Sequence, residues 1–254
     1  MRNNNNMKDS KLNLLNHDII ALIPAHNEED NIEELVKKMK GQNIYPVVVV
    51  DHSTDRTVEI ALKSGAEVIR NEMDKGKGYA IRTGLEHIIR NFNYKCVVLI
   101  DGDMQYQPEE TKKLTEPILE GRKKVVKGTR NFRKIPFRHA LGNNLWRLIY
   151  NISYPGVEIK DPCCGFMALS KEVVEKIRLN KIYGGYIVDS SILIEISKNG
   201  FNEFIEEVHV TVKYKNKSSI GRGIRMVSGV SLFILFSGIK RNFSGIKRKL
   251  KIDN

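Results

Sequence analysis

Cysteine is scarce in this sequence: there are 3 in 254 residues, and two of them, Cys163 and Cys164, are adjacent. An odd set of this kind, completed by Cys96, builds no disulfide framework, so a reducing, cytosolic compartment is expected. Aromatic residues are few, at 7%, and no basic stripe interleaved with them marks a nucleic-acid-binding module. No nucleic-acid partner is therefore expected. No apolar run reaches the about 20 residues needed to span a bilayer. Residues 1–17 are polar and lack the apolar centre of a secretory signal, and they are expected to form a disordered leader. There is no internal repeat, no P-loop and no dinucleotide-binding glycine fingerprint.

What is present is a basic, alternating α/β chain. Lysine and arginine number 42 against 30 acidic residues, a formal charge of +12, which fits phosphorylated ligands, nucleic acid or an anionic membrane without choosing among them. From residue 18 onward, short apolar runs alternate with helical patterns, as in a parallel sheet built from βαβ units. Strands are expected at 19–23, stopped by Pro24, at 47–50, at 67–70, at 96–100 and at 125–127. Helices are expected from about residue 30, over 54–64 with Val58, Ile60, Ala61 and Leu62 near the core, over 78–89, and after Pro108. The second half predicts helices around 141–150, from Ser170 and over 189–198, and a strand over 204–214. Residues 227–239 form a short apolar run flanked by Arg222, Arg225, Lys240 and Arg241, suited to a helix lying in a membrane interface beside a polybasic segment, or to a core helix closing the domain.

The chemistry-bearing residues gather at the ends of the expected strands, where open α/β sheets bind ligands. The first strand leads into PAHNEED, the second into DHSTD, the third into NEMDKGKG and the fourth into DGDMQYQP. Asp101 and Asp103 leave a buried strand two positions apart, so their carboxylates can converge on a hard divalent cation, magnesium or manganese, with Gln105 completing the set. Such ions bind through one or two carboxylates plus substrate phosphates, which implies a diphosphate ligand. The GKG run opens a helix with glycines around Lys77, and exposed amides with a nearby cation attract phosphate. Arg82, one turn further on, is a second candidate phosphate contact.

Taken in order, PAHNEE, VVDHSTD, DKGKGYAIRTGL, LIDGDMQYQP, VKGTR and DPCCGFMAL resemble family two of the glycosyltransferases, most closely its dolichyl-phosphate mannosyl- and glucosyltransferase branch, over residues 19–220. The resemblance implies a GT-A fold, α/β with a mostly parallel Rossmann-like sheet, over 18–220, followed by a basic, apolar membrane-associating tail at 221–254. It implies that Pro24, Ala25, Asn27 and Glu28 line a nucleotide pocket, that Asp51 holds the base, and that Asp101, Asp103 and Gln105 bind the metal. Arg130, with Arg138 as a second contact, would face the acceptor phosphate. Lys215, Lys217, Ser218 and Ser219 would close over the donor diphosphate, and Asp161 and Asp189 would lie near the acceptor. Where the family reads DDGSTD this chain has Val50 and His52 in place of the first Asp and the Gly, so the base pocket differs while Asp51 is kept.

The expected activity is inverting, metal-dependent transfer of a hexose from GDP-mannose, UDP-glucose or UDP-N-acetylglucosamine to a polyprenyl (dolichyl) phosphate, by a protein held peripherally on the cytoplasmic face of a membrane. A phosphate acceptor is already anionic and needs positioning by Arg130 and Arg138 more than a base. A sugar-hydroxyl acceptor would need a carboxylate base, Asp161 or Asp189. Two other classes compete. A nucleotidyltransferase would carry a glycine-rich basic loop after the first strand, where this chain has PAHNEEDN, and a non-enzymatic membrane-surface protein would draw only on the positive charge.

Overall fold

The structure is a computed structural model and describes residues 14–71, 76–131, 137–154 and 158–213, together with residues 232 and 236. In chain order the strands are β1 (Leu15–Asn16), β2 (Ile19–Ala25), β3 (Tyr45–Asp51), β4 (Glu67–Asn71), β5 (Phe92–Asn93), β6 (Cys96–Leu99), β7 (Val125–Arg130), β8 (Met167–Ser170) and β9 (Ile205–Val210). The α-helices are α1 (Ile32–Gly41), α2 (Thr57–Lys63), α3 (Lys77–Asn91), α4 (Thr111–Leu119), α5 (Phe137–Ser153), α6 (Lys171–Lys176) and α7 (Val188–Lys198).

Seven strands form one sheet in the order β4-β3-β2-β6-β8-β7-β9. β4, β3, β2 and β6 run parallel, and β8 is antiparallel to both β6 and β7. The run of four valines in β3 is buried throughout, as a strand covered on both faces requires. Alternation along β2 divides the core. Ile20 and Leu22 face a layer that includes Ile81 and Leu85 of α3, Trp146 of α5 and Ile192 of α7. Ala21 and Ile23 face the opposite layer, with Leu35 and Met39 of α1 and Leu114 of α4. In α1 the buried set is Ile32, Leu35, Val36 and Met39, one face at helical spacing, and its charges follow the helix dipole, with Glu33 and Glu34 in the first turn and Lys38 and Lys40 in the last.

Three sequence expectations are corrected. β2 does not stop before Pro24 but continues to Ala25, with Pro24 in register with Val49. The missing N–H of Pro24 lies on the side where its own carbonyl accepts from Gly102 N at 3.3 Å, beyond the last β2–β6 pair, Leu22 with Leu99, so no ladder bond is lost. Leu62 is 50% exposed, whereas Ala61 is buried and Val58 and Ile60 pack partly buried against the core, as expected. The leader expected through residue 17 gives way to structure at its end: Leu15 and Asn16 pair in parallel with Phe92 and Asn93, and the His17 ring stacks on Tyr45 at 3.9 Å. Residues 1–13 and, apart from residues 232 and 236, the tail 221–254 lie outside the described residues.

α3 lies close against β2 and β3 because Gly84 has no side chain: a Cβ there would stand 2.2 Å from Leu22 Cδ1 and 3.0 Å from Val49 Cγ2. Gly84→Ala is expected to cost about 1–3 kcal/mol through overpacking, read as a lower urea midpoint at unchanged slope.

Candidate active site

The order of the sheet sets where a site can form. From β2 the chain builds outward through β3 to β4, then returns to place β6 on the other flank of β2. The crevice at the carboxyl ends of β2 and β6 is therefore the topological switch point. Here Gly102 lies against the end of β2, its Cβ position 3.2 Å from Pro24 O and 3.4 Å from Glu28 Cγ.

Four loops meet around this crevice and are tied to one another. Pro24 and Ala25 end β2 with buried side chains. Asn27 donates its backbone N–H to Ser53 Oγ at 2.9 Å, and its Oδ1 accepts from Thr54 N at 2.8 Å. Glu28 donates its N–H to Thr57 Oγ1 at 2.8 Å and accepts from Asn31 Nδ2 on Oε2 at 2.6 Å. His26 Nδ1 lies 2.6 Å from the carbonyl of Asp51, so this nitrogen carries the proton. The Asp51 side chain is buried and accepts from Gly76 N at 2.7 Å and from Asn71 Nδ2 at 3.3 Å. The residue expected to hold the base thus also binds the start of α3 to the end of β3.

That tie puts Lys77 at the first position of α3, facing Asp101. Its Nζ is 2.7 Å from Asp101 Oδ1 and 3.0 Å from Oδ2, and 3.5 Å from Asp189 Oδ1 in the first turn of α7. Burial pulls the Lys77 pKa down, but the Asp101 and Asp189 carboxylates outweigh it and hold the ammonium charged well above the ordinary lysine range. Gly165 makes room for the group, since a Cβ there would stand 2.9 Å from Lys77 Nζ and 3.0 Å from Asp189 Oδ1. Arg82, one turn into α3, is half-buried with its guanidinium 5.2 Å from the centre of the Tyr79 ring.

Asp103 accepts from Gln105 N at 3.0 Å on Oδ1 and from Gln105 Nε2 at 2.7 Å on Oδ2. Gln105 therefore braces the Asp103 carboxylate in this state instead of adding an oxygen to a shared set. Among the described residues no cluster of three or more His, Cys, Asp or Glu side chains is gathered for a metal ion. Two half-exposed carboxylates on one strand end still suit a hard divalent ion that takes its remaining ligands from phosphate and water.

The described residues expected on the acceptor side are paired with one another or with Lys77. Arg130 is held by an ion pair: its Nε and Nη2 donate to the two oxygens of Asp161 at 2.7 and 2.9 Å, and its backbone N–H adds a third bond at 3.1 Å. The Asp161 side chain is fully buried, and Arg130 keeps 19% exposure. Asp161 is thus the anchor of Arg130. Asp189 lies beside Lys77, with Oδ1 3.5 Å from its Nζ. The side chain of Arg138, at the start of α5, and Lys215, Lys217, Ser218 and Ser219 lie outside the described residues.

Sequence reasoning passed over three residues that hold this region together. Glu207 on β9 accepts from Lys160 N at 2.8 Å and Asp161 N at 3.0 Å, and burial raises its pKa. Lys127 on β7 is fully buried and donates to the carbonyl of Cys164. Tyr106 is buried and accepts from Gly165 N at 3.3 Å. Tyr106 and Lys127 carried a signal, their places inside DGDMQYQP and VKGTR, and Glu207 carried none. Burial also pushes the Cys163 and Cys164 thiols up, which keeps them protonated and poor nucleophiles.

Residues 20–178 match the family described as glycosyl transferase family 2. The chain is 33% identical to a dolichol-phosphate mannosyltransferase of Pyrococcus furiosus, over 85% of this chain and 60% of that protein. It is 27% identical to a UDP-N-acetylglucosamine–dolichyl-phosphate N-acetylglucosaminyltransferase of Methanococcus voltae, over 85% of this chain and 93% of that one. A solved structure of glucosyl-3-phosphoglycerate synthase from Mycobacterium tuberculosis, in complex with Mn2+, UDP-glucose and phosphoglyceric acid, superposes with a TM-score of 0.70 at 24% identity, covering 87% of this chain and 80% of that one. The chain belongs to glycosyl transferase family 2 and has the GT-A fold. It is a glycosyltransferase.

Two outcomes test the site's architecture. Arg130→Ala strands a buried carboxylate and is expected to cost about 3–5 kcal/mol of stability, measured by denaturant unfolding. His52, exposed at the end of β3, holds a left-handed backbone with φ 47°. Relief of that strain makes His52→Gly stabilising by about 1 kcal/mol or less, visible as a small rise in Tm.

Proposed function

We propose that this glycosyltransferase moves a hexose, with inversion, from a nucleotide sugar to a polyprenyl phosphate at a membrane surface. The observation that carries the choice of acceptor is the state of the two acids that a hydroxyl acceptor would call on as base. Asp161 is fully buried with both oxygens on Arg130, and Asp189 faces the Lys77 ammonium. Held against a cation in this way, neither carboxylate stands free to reach a hydroxyl proton, whereas a phosphate acceptor arrives already ionised. The names of the Pyrococcus furiosus and Methanococcus voltae relatives support the same acceptor class.

Lys77 and the first-turn amides of α3 stand where a donor diphosphate would bind, and the loops after β2 and β3 lie where its nucleoside would extend. Asp101 and Asp103 would hold magnesium or manganese there, a reading supported by the Mn2+ and UDP-glucose of the mycobacterial enzyme. When bound, such an ion supplies positive charge to offset what grows on the departing nucleoside diphosphate. Arg130, fixed by Asp161 and with its side chain 19% exposed, would orient an anionic acceptor.

Membrane contact is supported by exposed apolar side chains. Leu145, Leu148 and Ile152 line one face of α5 at 41%, 58% and 70% exposure, and Leu232 and Phe236, four positions apart in the apolar run, are 52% and 62% exposed. No helix among the described residues is long and apolar enough to cross a membrane. In this reading the protein sits peripherally, on the cytoplasmic face.

The test is transfer from radiolabelled UDP-glucose, UDP-N-acetylglucosamine and GDP-mannose to a short polyprenyl phosphate, with manganese or magnesium. A lipid-extractable product from one donor is expected, falling by at least about a hundredfold in Asp103→Ala. Turnover of a donor onto free sugars with none onto the lipid phosphate would move the assignment to hydroxyl acceptors.

A further inference from the structure

We infer that Lys77 is a tethered stand-in for the metal: its ammonium neutralises Asp101 until a diphosphate arrives to take it, so that metal and nucleotide enter by one exchange. The inference rests on the reading above of Asp101 and Asp103 as the metal-holding pair.

Contact with both carboxylate oxygens comes first. Nζ is 2.7 Å from Asp101 Oδ1 and 3.0 Å from Oδ2, so the ammonium covers the edge of the carboxylate that a cation would use. A divalent ion bound to the same oxygens at about 2.1 Å would be pressed against it, and like charges that close repel strongly. The ion and the lysine therefore compete for Asp101. The other half of the pair is also engaged, since Asp103 is braced by Gln105 on both of its oxygens.

The lysine has two places to go. It is the first residue of α3, a helix of 15 residues, so a diphosphate drawn to the amides of that helix end arrives beside its own ammonium. It also has a second carboxylate within reach, Asp189 Oδ1 at 3.5 Å, fixed in the first turn of α7. Gly165 keeps the lane between them clear, its Cβ position lying 2.9 Å from Nζ and 3.0 Å from Asp189 Oδ1. Lys77 can thus leave Asp101 without being stripped of counter-charge.

Without nucleotide, a metal must displace a cation that is covalently held in place. With nucleotide, the diphosphate draws that cation away and adds its own oxygens to the ion. Each ligand then raises the affinity for the other, and by linkage the two factors are equal. A lysine that served only to pair Asp101 and Asp189 structurally would give no such gain on its removal.

The experiment is Mn2+ binding by the full chain, read from the free-ion electron paramagnetic resonance signal, alone and with UDP or GDP. Wild type, Lys77→Met, Lys77→Arg and Asp189→Asn are compared, with thermal unfolding of each to confirm folding. Wild type is expected to bind Mn2+ about tenfold or more tightly once the fitting nucleotide is present. Lys77→Met should bind Mn2+ more tightly than wild type in the absence of nucleotide, and its nucleotide effect should shrink. Lys77→Arg should keep the coupling. Asp189→Asn, which leaves the lysine to Asp101 alone, should weaken nucleotide-free Mn2+ binding, so the idea stays testable even if Lys77→Met does not fold. Nucleotide-enhanced Mn2+ binding in wild type, with nucleotide-free affinity unmoved in folded Lys77→Met or Asp189→Asn, overturns this inference and leaves the metal site standing. No Mn2+ binding by wild type with either nucleotide overturns the metal-site reading, and this inference with it.

Discussion

The buried carboxylate of Asp51 is the tie on which the arrangement of the site depends. It ends β3 and takes the backbone N–H of Gly76, with Asn71 of β4 on its other oxygen. Two adjacent strand ends and the start of α3 are thereby joined by one side chain. A carboxylate accepting a backbone N–H in a buried setting makes a short, directional bond, and here it decides where the first turn of the helix begins. Lys77 follows from it, and so does the ammonium–carboxylate contact with Asp101 across the switch-point crevice. Gly84 lets the same helix lie against β2 and β3, so both its start and its flank are set by the strands it serves.

The site is balanced by internal pairs despite an overall charge of +12. Lys77 answers Asp101 and Asp189, and Arg130 answers Asp161. Each cation is held by a carboxylate on a different element, so the positions of α3, α7, β7 and the loop before β8 are coupled through charge. Buried pairs of this kind add little net stability compared with well-packed apolar side chains. Their effect is on placement, because each pair fixes its cation relative to the strand ends around the crevice. Glu207 supports this arrangement from below, where its two bonds to the backbone of Lys160 and Asp161 hold the loop that presents Asp161 to Arg130.

Much of the parallel half of the fold was legible. The valine run of β3, the helical spacing of Ile32, Leu35, Val36 and Met39, and the glycine-bounded start of α3 are local patterns, and local patterns are readable where burial is complete on one face or both. The strand through Pro24 was misread because proline costs a ladder bond only where a partner awaits its N–H, and whether one does depends on where β6 stops. Leu62 lies on the outward side of α2, whose inward side carries Thr57 and Ala61, and a helix of 7 residues holds too little periodicity to separate Leu62 from them.

In the site, residue identities and their gathering at strand ends were set by the sequence alone, since strands in a parallel sheet deliver their following loops to one edge. Asp101, Asp103, Lys77 and Asp51 could be chosen on that ground. What tertiary structure decided is who pairs with whom. Asp161 and Arg130 are 31 positions apart, and Lys77 and Asp189 more distant still, so no periodicity relates them. Charge pairing over such separations is set by strand order and helix docking, which bring together groups with no local signature of their partnership. The same holds for Lys127 and Glu207, whose partners are backbone atoms of the loop before β8, the Cys164 carbonyl for Lys127 and the Lys160 and Asp161 N–H groups for Glu207.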